Sequence, residues 1–289
     1  MSVIYEPKGM ALEYAELAAN LYRGCSHACK FCYAPSVLRK SGTTLEAFRN
    51  HVEPRPDIIR QFGRDCCKLA ETGCQKRVLL SFTTDPYQPA EREHRLTRQA
   101  LQMLNEHGLT WQVCTKNGLQ AMEDDLALFT EGGGWLGQTI LFMDDADRQL
   151  WEPGASAMGD RLRALQIAQE AGIRTWVSLE PVIDPDQALA LIDYAAPYVD
   201  TWKIGRLNHV HLLEPELRAR VEHIDWQGFV NKLVAVLEGR PGIQYPIKDS
   251  LLPYWPTDVA SSRLQGDQAR RSRPTAALVE GREVGLTLF

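Results

Sequence analysis

Arg23-Gly24-Cys25-Ser26-His27-Ala28-Cys29-Lys30-Phe31-Cys32-Tyr33 is the stretch on which the fold is read. Its three thiols are spaced C-x3-C-x2-C, with an aromatic residue on either side of the last. They can converge on one inorganic centre only if the backbone wraps as a loop, which Gly24 and the small residues Ser26 and Ala28 permit. Soft sulfur donors suit zinc or an iron-sulfur centre. A structural zinc site takes four protein ligands and an electron-transfer cluster takes four cysteines. Three cysteines leave one coordination position without a protein ligand, and an open position is where chemistry happens rather than where a fold is stapled. The competing reading is a zinc or iron-sulfur redox or recruitment module without enzymatic activity, its fourth ligand supplied by His27 or a distant cysteine.

The wider run from Asn20 through Pro35, with its aromatic before the last cysteine, resembles the radical SAM superfamily and, within it, the spore photoproduct lyase-like branch. The resemblance implies that Cys25, Cys29 and Cys32 hold a 4Fe-4S cluster whose fourth iron is chelated by S-adenosylmethionine. It implies reductive cleavage of that cofactor to methionine and a 5'-deoxyadenosyl radical, which abstracts hydrogen from a substrate. A cellular one-electron reductant such as flavodoxin or ferredoxin is the implied partner. The branch suggests a nucleic-acid base or nucleotide as substrate, whereas a small metabolite or a peptide suits the acidic balance equally.

At 289 residues the chain is long enough for one barrel-sized domain. A formal net charge of -5 provides no general basic field for gripping phosphate. The seven cysteines are an odd number, and the first three sit too close together for a disulfide framework. No apolar run reaches membrane-spanning length, and the charged start lacks the apolar region of a signal peptide. A reducing cytoplasm is the expected compartment, since thiolates and an oxygen-sensitive cluster persist there.

Strand and helix patterns alternate along the chain. Strands are expected at 18–23, 78–82, 110–115, 138–143, 173–179 and 199–204, with helical patterns between them and a last helical region at 215–237. Six strands separated by helices imply parallel pairing through crossovers. Periodicity alone also allows a doubly wound sheet; the cysteine motif directly after the first strand selects an α/β partial (β/α)6 TIM-type barrel of the radical SAM type. The expected organisation is an N-terminal extension at 1–17, the barrel at 18–238 and a C-terminal extension at 239–289, with a further strand at 243–247 and Lys248 reaching the open end.

In such barrels ligating residues gather where strands end. Thr83-Thr84-Asp85, Thr115-Lys116-Asn117, Asp144-Asp145, Glu180-Pro181 and the segment Gly205-Arg206-Leu207-Asn208 satisfy that demand as a set. The resemblance implies that Thr83, Thr84, Asp85 and Lys116 hold the methionine part of the cofactor, that Thr139 meets its ribose, and that Phe31 and Tyr33 line its adenine. Glu180, Lys203 and Arg206 are the expected substrate-side groups.

The chain departs from the lyase at Phe82, where the lyases carry a cysteine that returns hydrogen to the product radical. Cys114 is the candidate replacement, although core packing is its simpler role. Leu150-Trp151-Glu152-Pro153-Gly154 with Arg161-Leu162 resembles instead the E-P-G and R-L pattern of the lyase's uncharacterised relatives. The resemblance also allows Cys66, Cys67 and Cys74 to help ligate an auxiliary cluster, but Cys66 and Cys67 fall in a helical pattern where adjacent side chains diverge by about 100°, and they read as small apolar packing groups, one of them a surface thiol. A basic run at 268–274 and an apolar ending at 284–289 complete the chain.

Overall fold

A computed structural model describes residues 2–38, 42–240 and 242–256; the basic run and the apolar ending lie outside the described residues. In chain order the strands are β1 Leu17–Ala19, β2 Tyr22–Arg23, β3 Glu53–Pro54, β4 Val78–Leu80, β5 Trp111–Thr115, β6 Trp135–Thr139, β7 Thr175–Val182 and β8 Thr201–Arg206. The helices are α1 Ala34–Leu38, α2 Leu45–Asn50, α3 Ile58–Glu71, α4 Glu91–His94, α5 Leu96–Glu106, α6 Gly118–Gly132, α7 Asp145–Trp151, α8 Met158–Glu170, α9 Pro185–Ala195, α10 Pro215–Ala219 and α11 Trp226–Glu238.

Six strands form one parallel sheet in the order β1-β4-β5-β6-β7-β8. Each successive strand is added at the same edge after a helical crossover, the arrangement of a partial (β/α)6 barrel with β1 and β8 at its edges. The short antiparallel pair β2–β3 stands apart from the sheet and carries the start of the cysteine loop.

Alternation along the strands sorts side chains into two environments. Outward residues such as Val113, Leu136, Val177 and Trp202 are buried in two clusters under the helices. Burying each such side chain contributes about 1.5–3 kcal/mol. Leu79, Cys114, Trp135 and Trp176 form a separate inner cluster with Tyr14, Ala15 and Phe82. The segment before β1 therefore occupies the inner side of the sheet. It is tied there by Gln112 Nε2, which donates to the Tyr14 carbonyl at 2.8 Å, and by Lys203 Nζ, which donates to the same carbonyl at 2.9 Å.

Two expectations shift. The fourth strand is β6 at Trp135–Thr139 rather than 138–143, because the glycine turn ends at once; Ile140 N–H still donates to the Ser178 carbonyl at 3.3 Å, and the apolar run Ile140-Leu141-Phe142 beyond the strand is buried in the outer core. The segment at 243–247 makes only single parallel bridges, Gln244 to Thr201 and Ile247 to Ile204. Pro246 lies between them and has no N–H to continue a ladder.

Gly137 sits where Trp176 fills the inner space: a Cβ there would lie 2.2 Å from the indole ring and 2.6 Å from the Val113 carbonyl oxygen. Gly137→Ala should cost about 1–3 kcal/mol through overpacking. A urea unfolding midpoint equal to that of the wild type would contradict this packing.

Candidate active site

The cysteine loop begins at the end of β2, and its backbone is anchored along its length. Gly24 has φ +79°, and a Cβ there would lie 2.3 Å from the His51 carbonyl oxygen, so only glycine fits. Cys25 N–H donates to the Phe48 carbonyl at 2.8 Å. The fully buried Gln88 accepts from Ser26 N–H at 3.1 Å and donates to the Gly24 carbonyl at 3.3 Å. Lys30 N–H donates to the Trp151 carbonyl at 2.9 Å, and Gly154 N–H donates to the His27 carbonyl at 3.0 Å. A Cβ on Gly154 would come within 2.3 Å of the Ser26 carbonyl oxygen. The E-P-G segment thus lies directly against the loop, which gives that sequence pattern a physical meaning.

Two buried ionic contacts brace this arrangement from below. Asp85 accepts from the Thr115 hydroxyl at 2.6 Å, from Lys116 N–H at 2.8 Å and from Tyr87 N–H at 2.9 Å, and its Oδ2 lies 3.3 Å from Nδ1 of the buried His27. Burial pushes the Asp85 carboxyl up, but His27 and these donors outweigh it and hold the group below its ordinary range. Glu152, fully buried, stands 2.8 Å from Arg161 Nη1 and 3.2 Å from Lys116 Nζ. Burial again opposes the charge, and the two cations more than offset it, so Glu152 is held below its ordinary value. For Lys116 burial acts downward, yet Glu152 raises the ammonium above its usual range. Arg161 also donates to the Thr139 carbonyl at 2.7 Å, fixing α8 to the end of β6.

The expected site residues fall into three groups. Cys25, Cys29 and Cys32 share the loop and none is in a disulfide. Phe31 lies beneath Lys116, whose Nζ is 5.6 Å from the ring centroid, and Tyr33 donates to the Phe82 carbonyl at 3.1 Å. Phe82 and Thr83 each donate a backbone N–H to Asn20 Oδ1 at 2.8 Å, so Asn20 shapes the turn that presents Thr83 and Thr84.

On the inner face of the sheet, Cys114 Sγ lies 3.5 Å from Thr139 Oγ1. Glu180, at the end of β7, is bonded to Tyr14 and Lys248, and Ser178 Oγ is 3.0 Å from the Tyr14 hydroxyl. Lys248, from beyond α11, also contacts Glu13 at 2.9 Å. Both chain extensions therefore reach the late strands.

Lys203 and Arg206 stand elsewhere. Lys203 holds the Glu13 and Tyr14 carbonyls and lies over the Tyr14 and Trp176 rings at 4.6 and 4.8 Å. Arg206 donates to the Tyr254 hydroxyl at 2.9 Å and lies 4.9 Å from the Trp226 ring. Both are committed to anchoring the extensions. Asp144 caps α7 and Asp145 pairs with Arg148 at 2.5 Å, so these carboxylates serve a helix start. Gln88, Asn20 and Tyr14 are the participants that motif reading misses, whereas Lys248 lies at the strand ends, where its segment is expected to reach. Only the E-P-G and R-L pattern signals the support formed by Glu152 and Arg161.

The donor set suits a thiolate-held metal centre. Burial pushes the Cys25 thiol up to about 12, with Asp85 adding to it, and Cys29 is raised further by burial. Buried thiols of this kind ionise when a cation binds them, and their protons leave to solvent. Among the described residues no set of three His, Cys, Asp or Glu side chains is gathered as a single metal ion requires. His27, the nearest alternative ligand, faces Asp85.

Residues 19–193, well over half of the chain, match the radical SAM superfamily, and the chain belongs to it. It is 26% identical over 178 residues to an uncharacterised protein of Methanocaldococcus jannaschii, covering 60% of this chain and 62% of that protein. An uncharacterised protein of Mycobacterium tuberculosis is 26% identical over 182 residues, covering 61% and 52%. The match thus spans little more than half the length of these relatives. Among solved structures, a spore photoproduct lyase variant with bound AdoMet and dinucleoside spore photoproduct aligns with a TM-score of 0.61 and 15% identity, over 84% of this chain and 78% of that one. Streptococcus suis SuiB bound to S-adenosylmethionine aligns with a TM-score of 0.56 and 11% identity, over 83% and 52%. These likenesses establish the fold. No helix among the described residues is long and apolar enough to cross a membrane.

Glu152→Gln should destabilise the protein by about 3–5 kcal/mol, because it leaves the buried Arg161 and the half-buried Lys116 without their anion. An unfolding curve unchanged from the wild type would contradict the assigned support. Lys203 supplies a pH test. Burial, with Lys248 nearby, lowers its ammonium from 10.5 to about 7. The unfolded chain therefore holds that proton over a pH range in which the folded protein has released it, and this residue's contribution to stability rises with pH across the range. Wild type should gain stability relative to Lys203→Met as pH is raised from about 7 to about 10. A difference independent of pH would contradict the burial of this ammonium.

Proposed function

We propose that this chain is a radical SAM enzyme in which Cys25, Cys29 and Cys32 hold a 4Fe-4S cluster and leave one iron for the amino and carboxylate groups of S-adenosylmethionine. The observation that carries this reading is the anchored loop: three thiols, none in a disulfide, on a backbone fixed from four directions. When bound, the cluster supplies the electron that cleaves the cofactor to methionine and a 5'-deoxyadenosyl radical. The chain's own residues bind, orient and exclude water. Phe31 and Tyr33 offer flat surfaces for adenine, Thr83 and Thr84 offer hydroxyls for the methionine end, and Thr139 offers one for the ribose. Asp85 and Lys116 are already committed to Thr115 and Glu152, and act by fixing the shape of the pocket.

Cys114 and Glu180 are the groups of the inner face assigned to the substrate. Phe82 cannot return a hydrogen atom as the lyase's cysteine does, so the reaction differs from repair of the spore photoproduct by that donor, and Cys114 is the thiol available. A nucleic-acid base or nucleotide is the substrate class suggested by the dinucleoside bound to the similar lyase. The segments at 2–17 and 242–256 act as covers for the barrel at 18–238, since Tyr14 and Lys248 both bind Glu180. A one-electron reductant of the flavodoxin or ferredoxin class, in a reducing cytoplasm, completes the system.

The test is release of 5'-deoxyadenosine from S-adenosylmethionine by anaerobically reconstituted protein under dithionite. Wild type should release it and Cys32→Ala should lose the activity by at least about a hundredfold. Release that persists in Cys32→Ala would remove the cluster assignment, and its absence in iron-loaded wild type would favour a non-enzymatic binding module.

A further inference from the structure

Outside the loop, adjacent cysteines on α3 have opposite surroundings. Cys66 is fully buried, and burial pushes its thiol up to about 12. Cys67 is exposed, and its Sγ lies 3.2 Å from Nε2 of His107, the residue that closes α5. The other ring nitrogen of His107, Nδ1, is 2.8 Å from the Met103 carbonyl oxygen. A carbonyl only accepts, so Nδ1 carries the ring proton and Nε2 presents its lone pair to the thiol. A thiol facing a base that a third group orients is the arrangement that activates a nucleophile. Nothing in the proposed radical reaction uses it.

We propose that Cys67 and His107 form a thiol-exchange site that takes a small-molecule disulfide. His107 Nε2 receives the Cys67 proton as Sγ attacks one sulfur of the disulfide. The new S–S bond to Cys67 forms while the original one breaks, and the departing thiolate recovers the proton from His107. Cys67 ends as a mixed disulfide and half of the reagent as a free thiol, so the exchange balances without another oxidant. Both α3 and α5 run back to the sheet before β4 and β5, which puts this thiol near the N-terminal ends of the strands, opposite the cysteine loop.

The experiment treats cluster-loaded, full-length protein with oxidised glutathione under anaerobic conditions near neutral pH and maps adducts by peptide mass spectrometry over time. Cys67 should carry the first adduct, ahead of Cys74, and His107→Gln should slow its formation by about tenfold or more. A second comparison needs no variant: Cys67 should react faster in the folded protein than in the urea-unfolded chain, where His107 no longer faces it. Equal rates in the wild type and His107→Gln, equal or slower reaction in the folded state, or a first adduct elsewhere would each overturn the proposal.

Discussion

A buried carboxylate between a buried guanidinium and a half-buried ammonium ties together the elements around the cysteine loop. Glu152 joins Lys116, which follows β5, to Arg161 on α8, and Arg161 in turn holds the carbonyl that ends β6. Desolvating three charges is expensive, and the interaction is retained only because each partner is satisfied by the others. Its consequence lies in the next residues. Trp151 and Gly154 flank the carboxylate and supply the backbone contacts that fix Lys30 and His27, so the ionic support and the cysteine loop are one construction. The loop that carries the three thiols is thus held in shape by contacts from the surrounding backbone.

The late strands follow a different logic. Trp176 and Tyr14 fill the inner side of the sheet, while Glu180 gathers Tyr14 from the N-terminal segment and Lys248 from the C-terminal one. A carboxylate at a strand end therefore works as the point where both extensions meet. The early strands support the loop and the late strands support the covers, leaving Cys114, Thr139 and Ser178 in a polar row between them.

The fold was largely legible because its strands are apolar runs bounded by clear turns, and because the cysteine spacing removed the ambiguity between an open sheet and a barrel. The fourth strand was misplaced since Ile140-Leu141-Phe142 carries a stronger apolar signal than Trp135-Leu136-Gly137, although its burial comes from the helical layer. In the site, spacing located the thiols, but it could not distinguish a strand-end residue that meets a ligand from one that holds a neighbour. Asp85, Lys116 and Lys203 each have protein partners that spacing does not reveal. Their partners, His27, Glu152 and the Tyr14 carbonyl, come from segments 36 to 189 residues away or from a loop whose path no periodicity encodes. Gln88 and Asn20 left no signal at all, since a single buried amide looks like any other polar residue until its backbone partners are seen.

The central claim is that the three thiols hold an iron-sulfur centre with one metal position left for an amino and carboxylate chelate. Electron paramagnetic resonance of the anaerobically purified, reduced protein, recorded before and after adding S-adenosylmethionine, tests it most directly. A cluster signal whose line shape changes when the cofactor binds is the predicted result. A spectrum indifferent to the cofactor, or a silent sample containing about one zinc per chain and no iron, would contradict it.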